Sequence, residues 1–338
     1  MVRLKDIAAK AGVSVMTVSK ALRDEPDISA KTKARVQLIA DKMGYVPDSS
    51  AQALRSRRTN LFGLVIPAAT EPMFARVVMA IEERAFQMGY GVIIAHSLNL
   101  PEREAVIIRR LLSRRVDGLF LAPLYRLSPA APIFEDLQRR AVPTVMLGHR
   151  APFCSQFTNV ETDDLGASEA ITQHLLQLGH KRIAFLGGPP YSPAAQERLE
   201  GYRRALRAAN IEPDDRLVFY AGNTIDDGAK AALQMMNESA QATAIQAVND
   251  LVAIGAAESF ISQGLNIPQE ISVVGFGNIL ISEHYRVPLT TVRQPKHLLG
   301  DAAVELMVRL MRGERTESRR LPAEIVIRSS TGPPPRPA

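Results

Sequence analysis

The hydrophobic rhythm of the chain changes near residue 60. Before it, Leu4, Ile7, Ala8 and Ala11 fall at helical spacing until Gly12 breaks the run. In "GVSVMTVSKAL" a second helix starts. Ser14 is its N-cap, Val13 and Val18 take the two positions of a hydrophobic staple, and Val18, Ala21 and Leu22 continue an inward stripe. A third helix begins near Ser29, buries Val36, Ile39, Ala40 and Met43, and stops at Gly44. Beyond residue 61, short apolar runs alternate with amphipathic stretches. Strands are predicted in "LFGLVIP", "GVIIAHS", "DGLFLAPL" and "PTVMLGH", and in a second series "RIAFLGG", "RLVFYAG", "ATAIQAV" and "ISVVGFG". Helices are predicted over 73–89, 101–115, 165–178, 195–209, 227–238, 251–263 and 296–312.

These patterns imply two kinds of structure. Two short helices joined by a tight glycine turn and braced by a third form a helix-turn-helix, whose second helix enters the DNA major groove. Strands alternating with helices imply parallel sheets flanked by helices, and two series imply two α/β subdomains with a cleft between them.

Charge sharpens the first reading. Residues 1–60 hold 12 Lys or Arg against 6 Asp or Glu, which leaves 29 of each sign in the other 278, so the whole net charge of +6 sits at the N-terminal end. A neutral body with a basic head suits a polyanionic partner, since neutralising phosphates releases counterions. On the second helix Val15, Met16, Thr17 and Lys20 lie off the core stripe near its N-terminal end. Two adjacent apolar residues cannot both face inward with Val18 and Leu22, which favours Val15 and Met16 as contacts to thymine methyls or other apolar base edges. Ser14, Ser29 and Thr32 are phosphate-donor candidates, although capping alone explains Ser14 and Ser29.

Composition narrows the function classes. With 338 residues and 46% hydrophobic content, the chain holds one large or two to three ordinary domains. No apolar run approaches the roughly 18 residues of a membrane span, and the N-terminus lacks a secretory apolar region, so a cytoplasmic protein is expected. One cysteine, Cys154, leaves no internal disulfide, and six scattered histidines show no metal-ligand spacing; neither metal nor cofactor is expected. A nucleotide-dependent or sugar-acting α/β enzyme is the chief rival. "FLGGPP" and "VVGFGN" do not read G-x-G-x-x-G, however, and no serine elbow or nucleophile–base pair appears. A transport binding protein shares the body's pattern but needs export.

"LKDIAAKAGVSVMTVSKAL", followed by "ISAKTKARVQLIADKMGYVP", resembles the DNA-binding head of the LacI/GalR family of bacterial transcription regulators. The body is similar to that family's periplasmic sugar-binding-protein-like core through "LGHKRIAFLGGP", "RLEGY", "AVNDLVAIGA", "ISVVGFGN", "LTTVRQP" and "LPAEIVIRSST". The resemblance implies that "PDSSAQAL" is a hinge, helical only on operator DNA, in which Asp48, Ala51 and Leu54 match family positions and Leu54 wedges into the minor groove. Arg55, Arg57 and Arg58 would add phosphate contacts. The expected organisation is a helix-turn-helix domain over 1–47, a hinge and linker over 48–60, an effector and dimerisation body over 61–331, and a disordered tail over 332–338. Within the body the subdomains are expected at about 61–160 plus 291–320 and 161–290 plus 321–331.

Ligands of open parallel sheets sit beyond the carboxyl ends of the strands. The candidates there are Ala68 to Phe74, His96, Tyr125, His149 with Arg150, Tyr191, Asn223, Asn249 with Asp250, Gly277 with Asn278, and Gln294. The resemblance implies that Arg198 of "RLEG" contacts ligand, that Asn249 and Gln294 make polar contacts, and that Phe74 covers a ring; Phe74 fits plain core equally well. Many relatives continue "VVGF" with Asp, whereas Gly277 stands here, and His149 replaces an aspartate before Arg150. Fewer carboxylates beside Arg150, Arg198, His96 and His149 suit an acidic ligand such as a sugar acid or phosphate. The expectation is a homodimeric repressor that binds a pseudo-palindromic operator and is controlled by a small sugar or sugar derivative.

Overall fold

The computed structural model describes residues 2–46, 58–128, 130–238 and 240–336. The chain forms two compact units, one up to Thr59 and one from Asn60 onward. In the first, helices α1 (Leu4–Ala11), α2 (Val15–Ala21) and α3 (Ala30–Lys42) close over a core of Ile7, Ala8, Ala11, Val18, Ala21, Val36 and Ala40. Small side chains dominate that core, so three short helices pack closely. Gly12 ends α1 at φ 63°, a left-handed conformation in which a β-carbon is strained, and this makes the tight turn into α2.

The second unit begins with β1 (Leu61–Ile66), α4 (Pro72–Gln87), β2 (Gly91–His96), α5 (Pro101–Ser113), β3 (Gly118–Leu121), α6 (Pro132–Arg139), β4 (Thr144–Leu147) and β5 (Thr158–Thr162). It continues with α7 (Asp164–Gln177), β6 (Ile183–Gly187), α8 (Pro193–Ala208), β7 (Val218–Tyr220), α9 (Ile225–Asn237), β8 (Ala244–Ala247), α10 (Asp250–Ser262), β9 (Ser272–Val274) and α11 (Leu280–His284). The chain then crosses back through β10 (Thr291–Arg293), α12 (Lys296–Met311), β11 (Arg319–Leu321) and β12 (Glu324–Val326).

One parallel sheet runs β11-β5-β4-β3-β1-β2 and the other β7-β6-β8-β9. Their central strands β1, β3, β4 and β6 are continuously apolar because helices cover both faces. Phe62, Leu64 and Ile66 face the layer of α4 and α12, and Val65 faces that of α5 and α6. Likewise Ala184 and Leu186 pack beneath α9 and α10, while Ile183 and Phe185 pack beneath α7 and α8.

Among the described residues every predicted helix and strand is present, and the pattern missed several others. β5 reads "TNVET" and looks polar, yet Asn159 and Thr162 are buried; Asn159 Nδ2 donates to the Gly148 carbonyl at 3.0 Å. Hydrogen bonding, not apolar character, lets that strand enter the sheet. β10, grouped by sequence with the first subdomain, pairs antiparallel with β12 and bridges Gly277 through Arg293, so it lies with the second. The tail expected to be disordered begins at Gly332, which is instead held in place. Its N–H donates to Ser272 Oγ at 3.0 Å and its carbonyl accepts from His180 Nε2 at 2.9 Å, which pins it to the body.

Candidate functional site

The head presents its candidate DNA-reading residues at the start of α2. Ser14 Oγ accepts the Thr17 N–H at 3.0 Å and lies 2.9 Å from Thr17 Oγ1, so the cap also orients the Thr17 hydroxyl. Val18 points into the core, which turns Val15 and Met16 outward at 46% and 66% exposure. Apolar side chains held outward on a rigid helix are what contact with apolar base edges requires. Lys20 pairs with Asp27, so phosphate has to displace a carboxylate. Ser29 caps α3 through the Thr32 N–H at 3.3 Å, with the Thr32 hydroxyl 2.9 Å away. Ala51, Leu54, Arg55 and Arg57, with Asp48, lie outside the described residues.

In the body the two sheets meet at a polar cluster organised by Arg198. Its motif "RLEG" works through Gly201, one turn on: a Cβ there would lie 2.4 Å from the Leu165 carbonyl and 2.8 Å from the Glu169 nitrogen. Only glycine lets α8 press this closely onto α7. Arg198 then reaches Asp164 at the first position of α7 (3.1 Å) and the Val248 carbonyl after β8 (2.6 Å), and stacks 3.8 Å over the Phe276 ring. His149, after β4 of the other sheet, lies 3.1 Å from Glu197 Oε2 and 3.8 Å from Asp164. Arg320 of β11 also pairs with Glu197 and reaches Asp163 at 3.3 Å. Contacts from α8 thus join the two subdomains.

Electrostatics follow from this burial. Burial alone would lower the pKa of His149, but Glu197, with Asp164 and Glu161, outweighs it and holds the imidazole above its ordinary value. Glu197 goes the other way: His149 and Arg320 overcome its burial and pull it down. Burial pushes Asp164 up against the attraction of Arg198 and His149. Three buried polar atoms here, Asp164 Oδ1, Arg198 Nε and Asn159 Oδ1, lack a hydrogen-bond partner. A cavity of about 390 Å³ opens beside His149 and Glu197 of this cluster, lined also by Arg150, Glu161 and Pro193 among others. A larger one, about 840 Å³, lies between α4 and α12 and collects none of the candidate effector residues; we favour the smaller as the candidate site because it borders the polar cluster.

The remaining candidates are dispersed. Gln294 is buried and donates to Thr162 Oγ1 at 3.3 Å, at a crossover between subdomains. Asn249 caps α10 through the Val252 N–H at 2.8 Å, and its amide donates to the Asn223 carbonyl at 3.1 Å; the Asn223 side chain is exposed. Asp250 accepts from the Ile279 N–H at 2.9 Å, Ser282 Oγ at 2.8 Å and the Thr291 hydroxyl, so both its oxygens are engaged in bracing loops. Gly277 offers only a backbone, at φ 137°. Arg150 is exposed and donates to the Ser155 carbonyl at 3.0 Å, bracing its own loop. Phe74 packs half-buried against the first sheet's core, and His96, on edge strand β2, keeps a buried Nε2 without partner. The cations invoked for an acidic ligand are therefore largely engaged already: Arg198 and His149 with carboxylates, Arg150 with carbonyls.

Sequence reasoning missed Asp164, Glu197, Arg320 and Lys296. Asp164 reads as a helix-opening acid and Glu197 as an exposed position of an amphipathic helix. Lys296, which opens α12, is only 6% exposed and donates to the Gly277 and Asn278 carbonyls. Burial, with Arg76 and Arg293 nearby, pushes its pKa down to about 8 despite Asp250.

A helix-turn-helix unit followed by a body of two parallel-sheet subdomains, with polar side chains converging between them, defines a DNA-binding transcription regulator. Residues 3–48 match the model of bacterial regulatory proteins of the lacI family, and residues 172–331 match a periplasmic binding protein-like domain. The chain is 32% identical to the HTH-type transcriptional regulator DegA of Bacillus subtilis (strain 168), covering 97% of each. A Lac repressor dimer bound to operator and the anti-inducer ONPF superposes with a TM-score of 0.88 at 30% identity, covering 98% of this chain and 99% of that one. A complex of the transcriptional regulator CelR with cellobiose gives 0.73 at 31% identity, covering 98% and 100%. The chain belongs to the LacI family of bacterial transcription regulators.

Proposed function

We propose that the chain is a cytoplasmic, homodimeric repressor whose affinity for a pseudo-palindromic operator is set by a small polar metabolite held between the two subdomains of the body. The observation that carries the reading is the buried cluster around Arg198, where Asp164 Oδ1, Arg198 Nε and Asn159 Oδ1 lack a hydrogen-bond partner among the described residues and the neighbouring His149 and Glu197 line a cavity; such atoms are costly unless something else satisfies them. A hydroxylated ligand of the sugar class supplies both donors and acceptors for these three groups. The family relation supports it, since one relative is seen on operator and another with cellobiose. Apolar side chains exposed on the body, among them Met79, Phe86, Leu98, Leu280 and Ile281, give a second copy a surface to bury.

In this reading residues 1–47 read DNA, 48–60 form the hinge, 61–331 bind effector and partner, and the protein works by binding without turnover. Ser14, Val15, Met16, Thr17, Lys20, Ser29 and Thr32 contact the major groove and phosphates, and Ala51, Leu54, Arg55 and Arg57 the minor groove. Ligand alters the subdomain angle through the His149–Glu197–Arg320 contacts, and the coupling free energy appears as changed operator affinity. Fluorescence anisotropy on operator selected from random DNA, repeated across a sugar library, tests this. A compound that shifts operator affinity and is not consumed is expected; turnover of the bound compound, or absence of sequence-selective DNA binding, would refute the reading.

A further inference from the structure

Lys296 lies where the chain of the first subdomain meets the end of β9 in the second. Its ammonium donates to the Gly277 carbonyl and, at 3.3 Å, to that of Asn278, beyond the carboxyl end of a parallel sheet. Arg76 of α4 and Arg293 of β10 act on the same ammonium. The helices explain the convergence with Arg76. α4 and α12 run side by side and meet at Gly300, where a Cβ would lie 2.5 Å from Ala80 Cβ and 2.8 Å from the Val77 carbonyl. Lys296 is one turn before Gly300 and Arg76 directly precedes Val77, so both side chains issue from the same level of the pair.

Positive charge is in excess at this end. Among the described residues neither Lys296 nor Arg76 has a carboxylate in ion-pair contact, and Arg293 has only Glu324, at 3.8 Å. Asp250 is the negative charge that acts on Lys296, and its oxygens already accept from Ile279, Ser282 and Thr291. Gly277 has no side chain with which to accept from a ligand hydroxyl. A nearly buried ammonium with two guanidinium neighbours is unfavourable by desolvation and like charge, and an anion relieves both.

We propose that Lys296, supported by Arg76 and Arg293, forms a subsite for an anionic group, carboxylate or phosphate, carried by the effector. The subsite rests on the effector reading above and names the class of ligand. It takes the acidic ligand away from Arg150, Arg198 and His149, where carboxylates and carbonyls already hold the cations, and places its charge beside the 277–278 loop.

The test follows the Tm of the full chain during titration with inorganic phosphate, and separately with acetate, each against chloride at constant ionic strength. A saturable rise of about 2 °C or more with either anion is expected, and the anion that produces it assigns phosphate or carboxylate. Apparent affinity should fall about tenfold in Lys296→Met and in Arg76→Gln, and persist in Lys296→Arg. Arg76 is exposed, so its variant reports even where Lys296→Met fails to fold. No saturable rise with either anion, or a rise unchanged in Arg76→Gln, overturns the subsite. If neutral sugars still shift operator affinity in that case, effector control stands and only the anionic subsite falls.

Discussion

In the head, Val15 and Met16 stand 46% and 66% exposed on a seven-residue helix, and their places follow from the residues next to them. In the body, Asp164, His149 and Gln294 are buried, and their side chains find partners in chain 15 to 132 residues away. The difference is one of contact range. A helix of a few turns fixes which side chains face out through its own periodicity and cap, whereas a cleft between two sheets is assembled from crossovers that bring remote loops together. Head function should therefore tolerate change in the body's polar cluster as far as folding goes. Body stability, for its part, should depend on single charged residues in a way the head does not.

Arg198→Met makes the sharpest break in that comparison. It leaves Asp164 buried without its main counter-charge, and destabilisation of about 3–5 kcal/mol is expected for the body. Denaturation followed by separate probes in head and body should show the body transition moving and the head transition unmoved; equal shifts in both would deny them independence. Leu54→Ala tests the other side. Burying one leucine contributes roughly 1.5–3 kcal/mol, so operator affinity should drop about tenfold or more while metabolite binding stays intact. Unchanged operator affinity would refute the minor-groove role of Leu54.

A smaller effect is expected at the cap. Ser14→Ala removes the acceptor for the Thr17 N–H and should cost about 1 kcal/mol of head stability, with the body transition unchanged.

The smallest effects are pH slopes, and they take opposite signs. His149 has a raised folded pKa, so its stabilisation is full below the ordinary value of 6.5 and is lost as pH rises through the folded value. His149→Gln should flatten that loss. Lys296 has a folded pKa of about 8 against 10.5, so between those values the unfolded chain binds more protons and stability rises with pH. Lys296→Met should abolish that rise. Urea midpoints across both windows check the two signs.

The legibility of the site follows the same division. Ser14, Val18 and Gly12 carry enough local information to place α2, whereas Arg198 is singled out only by the resemblance of "RLEG" to the family. The bracing role of Asp250 is not legible because a sequence cannot show that Ser282 and Thr291 turn back to donate to it. Lys296 went unnoticed because a lysine opening a helix usually lies in water, and only the approach of the 277–278 loop buries it. β5 was lost because its hydrogen bonds, not its hydropathy, hold it in the sheet.

By itself the sequence determined the three-helix head, the alternation of strands and helices, and the two-subdomain body, because apolar periodicity, caps and glycine stops act over a few residues. Tertiary structure alone decided which charges neutralise one another. It set His149 and Arg320 on Glu197, Asp164 under Arg198, and Lys296 beside Arg76. Electrostatic pairing depends on distance in space and on exclusion of water, and both arise only when two sheets and their crossovers have packed.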